Sequence, residues 1–598
     1  MSGWRRAGWG AGVVALDVLL PAVAFAYVLQ TIAAPLLANP DTVVAAPLYI
    51  GTGDGNGEAW FYWWLHRAVV SGVGIEHPDV VCAPLGLDLG NNFPTRIDAW
   101  LALPFFHWLP FPRSFNAAAI GVLAANMFAA WLGLRATRAA APVAVLAAAV
   151  VGCSEYAVFD ISLGHNANAL IGPALCFMGA WAAVAEGRVG WAPVAALAAV
   201  LTVYAYPPYA LVLAPIAGMQ ALGGVVRREG RWRRLAGMFV AGVPALLAAR
   251  SVSADLATRG FSHTLGTVTS ASWKALRADS LTWDWPVHIA TDFNDHHAWL
   301  PPAFLLAGGL ALFGRGRGFG WMVAVVYLYV MSLGVVVLAA GEHGAVSLRS
   351  GSDVIALPLA AAVKAWPTLV QLRPYRFAPL VAGAIAFAIA SATRWEGASG
   401  KDAGASVRQA GAASWWRVFP TRWAFATTLA TAALGLALKQ ARDGGHLALT
   451  TQPWQVPAAI TWLAEQEGDF AIIEMPMGIG QGYGAMQAVH GKRRSDGHHD
   501  VSEHSRRRVE PPTECYTDDL VRALWSMERG SSLPADATVL RAGSSNAGFK
   551  YVVVYRAAWR MQRDGNAASA RVLAGLSATF GAPVRDDGEV AIYAIALP

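Results

Sequence analysis

The residues with the clearest chemical potential lie in a Gly-rich turn and in the aromatic segment after it. Residues 51–58 read Gly-Thr-Gly-Asp-Gly-Asn-Gly-Glu, and an aromatic amphipathic stretch continues to Arg67. We expect this loop to lie on the membrane surface, with its aromatic rings at the interface. Asp54 and Glu58 are four residues apart, so on a helix their carboxylates share one face. A carboxylate at the boundary of water and lipid has its ionised form disfavoured, which suits a general base. The alternative is that Asp54 only caps a helix over 56–69.

Two segments rich in His and Asp are candidate sites for a divalent metal. Residues 292–297 read Asp-Phe-Asn-Asp-His-His, and residues 496–504 contain three His, two Asp and one Glu. Zn²⁺ takes His and carboxylate ligands. Three consecutive arginines at 506–508 indicate an exposed loop instead. We therefore assign no metal ligands, and a divalent metal remains an unassigned option as a cofactor.

Further polar residues stand near the ends of apolar segments. His165 and Arg96 are additional candidate site residues, although a lone His near the end of a span is more often a hydrogen-bonded structural residue. We expect one or both of Glu155 and Asp160, which flank the same turn, to be solvated. Cys82 and Cys515 are the two cysteines outside apolar stretches, and a disulfide between them is one option.

Composition indicates a polytopic membrane protein. Of 598 residues, 55% are hydrophobic and 14% are charged, and mean hydropathy is +0.40. The 25 Trp residues suit indole rings at both membrane interfaces. The net charge of +6 does not indicate nucleic-acid binding, because the basic residues alternate with apolar segments. We therefore exclude a set of soluble domains.

Eleven apolar runs are long enough, or nearly so, to span a bilayer. With the N-terminus in the cytoplasm, short inner loops hold seventeen Lys and Arg, whereas the much longer outer loops before the last span hold eleven. This bias predicts an N-in, C-out helical bundle in a bacterial inner membrane. The fold class is mainly α: a transmembrane domain over 1–441 with a large outer loop at 34–116. The runs lie at 11–33, 117–134, 140–154, 168–185, 190–206, 209–226, 235–250, 299–313, 319–340, 376–393 and 423–440.

The last part of the chain, 442–598, predicts an extracytoplasmic α/β domain. Apolar runs rich in β-branched residues near 469–475, 551–555 and 590–595 predict buried strands. Helical periodicity appears at 518–529 and 567–580. No internal repeat is visible in the chain.

Several short motifs, taken in order, resemble one family. The Gly-rich loop around Asp54 is similar to the first outer loop of GT-C class glycosyltransferases, which use polyprenyl-phosphate sugars. Four further pieces resemble the YfhO-like group of bacterial membrane proteins: Gly164-His165, Leu372-Arg-Pro-Tyr-Arg-Phe377, Ile473-Glu-Met-Pro476, and Gln487-Ala-Val-His-Gly-Lys492 with Phe549-Lys-Tyr-Val-Val-Val554. Many GT-C enzymes carry two adjacent or near-adjacent acidic residues in the first loop, whereas here Glu58 follows Asp54 by one helical turn.

The resemblance implies a mechanism and a partner. A polyprenyl-phosphate sugar would place its lipid between spans, and Asp54 would take the proton of an acceptor hydroxyl. Arg373 and Arg376 would bind the leaving phosphate. The alternative for these arginines is a membrane-interface anchor. The rival functions are a transporter of lipid-linked substrates, which should show repeats and charges near mid-span, and a non-catalytic scaffold.

Overall fold

The structure is a computed structural model, and it describes most of the chain. The described residues are 19–44, 54–87, 96–227, 230–258, 281, 285–286, 298–313, 318–333, 359, 373–392, 415–443, 447–477, 480–496, 515, 518–531, 533, 537–560 and 565–595. The candidate metal segment 292–297 lies outside these residues. Of the second segment, 496–504, Asp496 alone lies within them.

Helices make up most of the described residues. In chain order they are α1 Leu19–Ile32, α2 Ala34–Ala38, α3 Asp54–Ser71, α4 Ile97–Trp108, α5 Arg113–Ala136, α6 Ala141–Gly152, α7 Glu155–Ser162, α8 Asn166–Ala169, α9 Gly172–Ala185, α10 Ala192–Ala205, α11 Pro207–Val226, α12 Arg231–Thr258, α13 Pro302–Phe313, α14 Gly318–Ser332, α15 Ala378–Ala392, α16 Trp415–Arg442, α17 Ala458–Glu465, α18 Gly484–His490, α19 Asp519–Glu528, α20 Ala537–Asn546, α21 Arg556–Arg560 and α22 Gly565–Phe580. Short 3₁₀ helices cover Val189–Trp191, Pro374–Phe377 and Gly480–Tyr483.

The strands are short and few by comparison. They are β1 Thr42–Val44, β2 Thr451–Pro453, β3 Ala471–Met475, β4 Arg493–Arg494, β5 Phe549–Tyr555, β6 Arg585–Asp586 and β7 Val590–Ala594. β1 and β2 form an antiparallel pair, and the other five form one sheet in the order β4-β3-β5-β7-β6. β4, β3 and β5 run parallel, whereas β7 is antiparallel to both β5 and β6.

The chain divides into two compact units, and neither is continuous in sequence. The helical unit comprises Met1–Leu37, Ile120–Asp160 and Ala167–Leu449. The sheet unit comprises Ala38–Ala119, Ile161–Asn166 and Thr450–Pro598. Most of the predicted outer loop 34–116 therefore clusters with the C-terminal residues, whereas the sequence-based division separates the two at residue 441.

Every one of the eleven apolar runs overlaps a helix in the described part of the chain. Among the described residues, six helices are long and apolar enough to cross a bilayer: Arg113–Ala136, Ala141–Ser162, Asn166–Ala185, Pro207–Val226, Arg231–Val252 and Pro374–Ala392. Shorter apolar helices cover Leu19–Ile32, Val189–Ala205, Pro302–Ala311 and Gly320–Ser332. These helices indicate a multi-pass membrane protein. The count of eleven spans and the orientation remain predictions.

Close helix packing in the helical unit depends on small residues. A Cβ at Gly179 would lie 2.1 Å from the carbonyl oxygen of Gly133, so α9 and α5 approach at a distance that a side chain would prevent.

Asn126 fixes the turn before α9. Its Nδ2 donates to the Ala169 carbonyl at 2.7 Å, and its Oδ1 accepts from Gly172 N at 2.7 Å. Backbone groups freed by the helix break are thereby satisfied away from water.

In the sheet unit, hydrophobic side chains cover both faces of the five-stranded sheet. One cluster surrounds Ile473, Val552 and Val554, and α19 and α22 supply Trp525 and Leu576 to it. The opposite cluster contains Ile472, Val553 and Ile592. The alternation of neighbouring strand residues between the two clusters is the period-2 pattern of a sheet covered on both faces.

The disulfide option is realised in the structure. Cys82 and Cys515 form a disulfide with a Cα–Cα distance of 4.5 Å, and both cysteines belong to the first of these core clusters. It links residues separated by 433 positions within the sheet unit. Cys153 and Cys176 are free and buried in the helical unit.

Candidate functional site

Asp54 is the first residue of α3, in the sheet unit. The structure describes its backbone but not its side chain, so the choice between cap and base stays open. Packing fixes the position of the helix start. A Cβ at Gly484 would lie 2.4 Å from the carbonyl oxygen of Asn56 and 2.7 Å from Cβ of Trp60, so α18 packs closely against the first turns of α3. The backbone of Asp54 is therefore held by residues near the C-terminus.

Most aromatic rings of α3 are buried in a protein core, whereas we expected them at the membrane interface. Trp60, Tyr62 and Trp64 are at most 1% exposed and form a core with residues of α4 and α5. Trp60 and Trp64 stack with a centroid distance of 6.4 Å. Aromatic enrichment is common to protein cores and membrane interfaces, and here burial within the sheet unit accounts for it.

Glu58 lies in a group that we call the Arg96 cluster: Glu58, Tyr62, Arg96 and Asp98. Glu58 is 8% exposed and Asp98 is 2% exposed. The Arg96 guanidinium donates to Glu58 Oε2 from Nη2, and to both oxygens of Asp98 at 3.1 Å from Nε and 2.9 Å from Nη2. Its carbon also lies 4.4 Å from the centroid of the Phe61 ring. Two buried carboxylates thus share one guanidinium.

Tyr62 completes this cluster. Its hydroxyl donates to Asp98 Oδ2 at 2.8 Å. Burial, followed by the charge of Asp98 and the hydrogen bond to it, raises the pKa of Tyr62 well above its ordinary value. The phenol therefore stays protonated and remains a donor.

Gln487 has a structural role that the sequence analysis did not assign. Its Oε1 accepts from Trp60 Nε1 at 2.7 Å, and its Nε2 donates to the carbonyls of Val80 at 2.7 Å and Lys492 at 3.0 Å. This buried amide joins α3, the segment that follows it and the C-terminal sheet. Gln487 is the first residue of the Gln-Ala-Val-His-Gly-Lys motif. The motif therefore singled out this segment, but it did not predict that the Gln487 amide joins distant parts of the chain.

Two motif residues from the C-terminal part of the chain meet in the sheet. Glu474 on β3 accepts from Tyr555 Oη at 2.9 Å and from Arg494 Nη1 at 3.4 Å, and its Oε1 lies 3.9 Å from His490 Nε2. All four side chains are buried. Lys492 N donates to His490 Nδ1 at 3.0 Å, so the neutral imidazole carries its proton on Nε2. Burial lowers the pKa of His490, which favours this neutral form.

Arg376 belongs to the helical unit, in a group that we call the Arg376 cluster: Asn168, Tyr206, Tyr375 and Arg376. Its Nη1 donates to Asn168 Oδ1 at 3.1 Å, and its Nε donates to Tyr375 Oη at 3.2 Å. The guanidinium carbon lies 5.2 Å from the Tyr206 ring and 5.6 Å from the Tyr375 ring. A cation with a fixed orientation results, in contact with amide and aromatic groups.

Two more tyrosines support this cluster from the same unit. Tyr209 Oη donates to the Asn168 carbonyl at 3.1 Å and lies 3.3 Å from Tyr156 Oη. Arg373 precedes the cluster and is exposed. The predicted pair thus consists of one oriented guanidinium, Arg376, and one solvent-accessible guanidinium, Arg373.

Glu155 and Asp160 are buried, not solvated as we expected. Glu155 is 1% exposed, and its Oε2 accepts from Trp299 N at 2.6 Å. Asp160 is fully buried and interacts electrostatically with the Arg376 guanidinium. Both lie on α7 in the span Ala141–Ser162, where burial against other helices replaces water. His165 lies half-buried in the turn between α7 and α8, within the sheet unit.

Among the described residues, no group of three or more His, Cys, Asp and Glu side chains is arranged to hold a metal ion. No protein-family model and no curated protein matches the chain.

Solved structures nevertheless match it. The cryo-EM structure of the arabinofuranosyltransferase AftD from Mycobacteria is 17% identical with a TM-score of 0.51, over 97% of this chain and 40% of that chain. A structure of a mutant of AftD is 14% identical with a TM-score of 0.51, over 97% and 42%. A crystal structure of the Archaeoglobus fulgidus oligosaccharyltransferase with a tethered acceptor peptide is 12% identical with a TM-score of 0.44, over 94% and 71%.

The likeness to AftD shows that this chain has the fold of GT-C membrane glycosyltransferases, as the resemblance implied. The chain spans about 40% of the length of AftD. The YfhO-like subgroup has no support from a family match and stays a prediction.

Proposed function

We propose that the protein is a membrane glycosyltransferase that moves a sugar from a polyprenyl-phosphate donor to an acceptor hydroxyl of the cell envelope, on the outer face of the inner membrane. The observation that carries the proposal is the likeness to AftD over 97% of this chain. Multi-pass helices and buried polar clusters support it, because lipid-linked chemistry needs a protein that holds polar groups at membrane depth.

Asp54 is the proposed general base. Glu58, the other candidate, is bound to Arg96, so its carboxylate is already engaged by a guanidinium. We therefore assign Glu58 and Arg96 to positioning of α3, and the base to Asp54. The Asp54 carboxylate accepts the proton of the acceptor hydroxyl. At the same time, the oxygen of that hydroxyl bonds to the anomeric carbon of the sugar. The bond from that carbon to the phosphate oxygen breaks, and the lipid phosphate leaves with the electron pair.

The leaving phosphate needs cations, and Arg373 and Arg376 are the proposed ones. Arg376 is held by Asn168 and Tyr375, so little conformational freedom is lost when it binds an oxyanion. Arg373 is exposed and can reach a lipid headgroup. His165 has no assigned step in this proposal.

Substitution of Asp54 tests the proposal directly. Purified protein in proteoliposomes is assayed with a panel of polyprenyl-phosphate sugars and envelope acceptors. We expect Asp54→Asn and Asp54→Ala to lower the transfer rate by roughly 10²–10⁴-fold, the usual contribution of general base catalysis. The exposed Asp79, replaced by Asn, is the matched control and should retain transfer.

The outcome separates the rival functions. Unchanged transfer in both Asp54 variants, with normal folding, would remove Asp54 from the mechanism. If the wild type transfers no sugar from any donor but moves labelled lipid-linked sugar across the bilayer, the protein is a transporter. Binding of envelope polymer without transfer or transport would instead assign it as a scaffold.

A further inference from the structure

The helical unit contains a groove between its first and last described helices. It has a volume of about 340 Å³ and is lined by Tyr27, Gln30, Thr31, Ala34, Leu37 and Arg442. These residues come from α1, α2 and the C-terminal end of α16. The groove uses none of the residues assigned to catalysis or donor binding.

Hydrogen-bond donors converge on this groove. Arg442 Nη2 donates to Tyr27 Oη at 2.5 Å, so the phenolic proton of Tyr27 is left for another acceptor. Gln30 is exposed and adds an amide donor. Thr31 Oγ1 donates to the Tyr27 carbonyl at 2.9 Å, which orients the hydroxyl away from donation into the groove. A guanidinium, a phenol and an amide together favour an oxyanion.

Within the described ranges, no acidic side chain pairs with Arg442. The neighbouring Lys439 pairs with Asp443 at 2.5 Å, so that ion pair is neutral. In the part of the chain that the structure describes, no carboxylate lies within ion-pair distance of Arg442. Tyr27 contributes an aromatic face, with its centroid 5.9 Å from the guanidinium carbon. An anion is therefore the complementary occupant.

With α16 as the predicted last span, the spacing of its charged residues puts the groove at headgroup depth. No charged residue lies between Arg422 and Lys439, and 17 residues of helix rise by about 26 Å, close to the thickness of a hydrocarbon core. Arg442 lies one turn beyond Lys439, at the level of lipid phosphates. Exposed apolar side chains, including Leu37 and Val23, leave the neighbouring surface open to acyl chains.

We propose that this groove binds the phosphate of an anionic membrane phospholipid, with its acyl chains along α1 and α16. Arg442 contributes the charge, Tyr27 and Gln30 contribute hydrogen bonds, and Leu37 contacts the glycerol and upper chain region. The proposal concerns a bilayer lipid and does not depend on glycosyl transfer.

Native mass spectrometry of the full-length protein, released from nanodiscs, tests the site. Discs contain phosphatidylcholine alone or with phosphatidylglycerol, and retained lipids are counted. We expect one retained phosphatidylglycerol, and roughly tenfold weaker retention in Arg442→Gln, since a charge-assisted hydrogen bond is lost. Tyr27→Phe should weaken retention to a smaller extent. Lys439→Gln, on the same helix end but outside the groove, is the matched control and should behave as the wild type.

The outcomes separate the lipid from other anions. Melting temperatures in phosphatidylcholine discs check that each variant folds. Equal retention of phosphatidylglycerol by wild type and Arg442→Gln would overturn the proposal, and so would equal retention of the zwitterionic and anionic lipids by the wild type. Displacement of phosphatidylglycerol by millimolar inorganic phosphate would assign the groove to free phosphate. Preferential retention of a polyprenyl phosphate would assign it to the donor lipid, which also contradicts the proposal.

Discussion

The Arg96 cluster and the Arg376 cluster each hold one arginine among buried groups, but they balance its charge differently. Arg96 binds two carboxylates, Glu58 and Asp98, by direct hydrogen bonds. The hydrogen bonds of Arg376 go to neutral partners, the Asn168 amide and the Tyr375 hydroxyl, while the buried Asp160 interacts with its guanidinium electrostatically. An arginine whose hydrogen bonds all go to carboxylates stabilises the local structure. An arginine whose hydrogen bonds go to neutral groups can still bind an added anion. For this reason we assign a structural role to Arg96 and phosphate binding to Arg376.

The largest expected effect is loss of the Arg96 guanidinium. Arg96→Gln leaves Glu58 and Asp98 buried without their cation, and breaking a buried ion pair from one side costs about 3–5 kcal/mol. Thermal or denaturant unfolding of the protein in detergent, followed through the sheet unit, measures this loss. Arg113→Gln is the control, because Arg113 and its partner Asp41 are largely exposed at 3.7 Å. That control should change stability by less than about 0.5 kcal/mol.

An equal, small effect of both substitutions would show that Glu58 and Asp98 do not depend on Arg96. The structural role that we assign to Arg96 would then be wrong.

Local patterns predicted the elements well but not their assembly. The apolar runs gave the helices, and β-branched runs gave β3, β5 and β7, because length and periodicity are properties of neighbouring residues. The partners of α3 are far away in sequence: Trp60 binds Gln487, 427 positions later. No local signal reports such a contact. Aromatic content therefore suggested a membrane surface for a helix that the C-terminal part of the chain buries.

The candidate site divides in the same way. Residue type and motif order singled out Asp54, Glu58, Arg96 and Arg376 as chemically capable. They did not reveal that Arg96 binds Glu58, although the acidic Asp98 two residues after Arg96 was a visible hint of a local ion pair. Burial of Glu155 and Asp160 was also out of reach, because hydropathy does not say which neighbouring helix covers a span end.

Glu528 sharpens the comparison, since it is a carboxylate held without a direct guanidinium bond. Its Oε2 accepts from Met477 N at 2.8 Å. Burial raises its pKa to about 7, while that hydrogen bond and the charge of Arg529 act in the opposite direction. Because the folded pKa lies above the unfolded value of 4.5, its stabilising contribution is complete below pH 4.5. It is lost as the pH rises through about 7.

We expect wild-type stability to fall by about 2–3 kcal/mol relative to Glu528→Gln between pH 4.5 and pH 8, at 1.4 kcal/mol per pKa unit. Unfolding curves at several pH values for both proteins measure this difference. Gln keeps an oxygen that accepts from Met477 N, so the substitution removes the titration and retains the hydrogen bond. Parallel pH profiles of the two proteins would contradict the raised pKa.

A smaller effect on stability is expected for Arg376, and it is paired with a large effect on donor binding. Arg376→Gln loses hydrogen bonds to neutral groups, which should cost about 1–2 kcal/mol. Because Asp160 interacts with the guanidinium, the double variant Arg376→Gln with Asp160→Asn should recover part of this loss. In the transfer assay, Arg376→Gln should raise KM for the polyprenyl-phosphate donor by roughly tenfold or more.

Arg373→Gln separates phosphate binding from anchoring in the membrane. Arg373 is exposed, so its substitution should leave stability within about 0.5 kcal/mol of the wild type while also raising the donor KM. A membrane anchor would give the reverse pattern: weaker insertion or lower stability in thin bilayers, with an unchanged KM. If both variants keep the wild-type donor KM, the neutral hydrogen-bond partners of Arg376 do not serve an anion, and its difference from Arg96 reflects only how each unit packs.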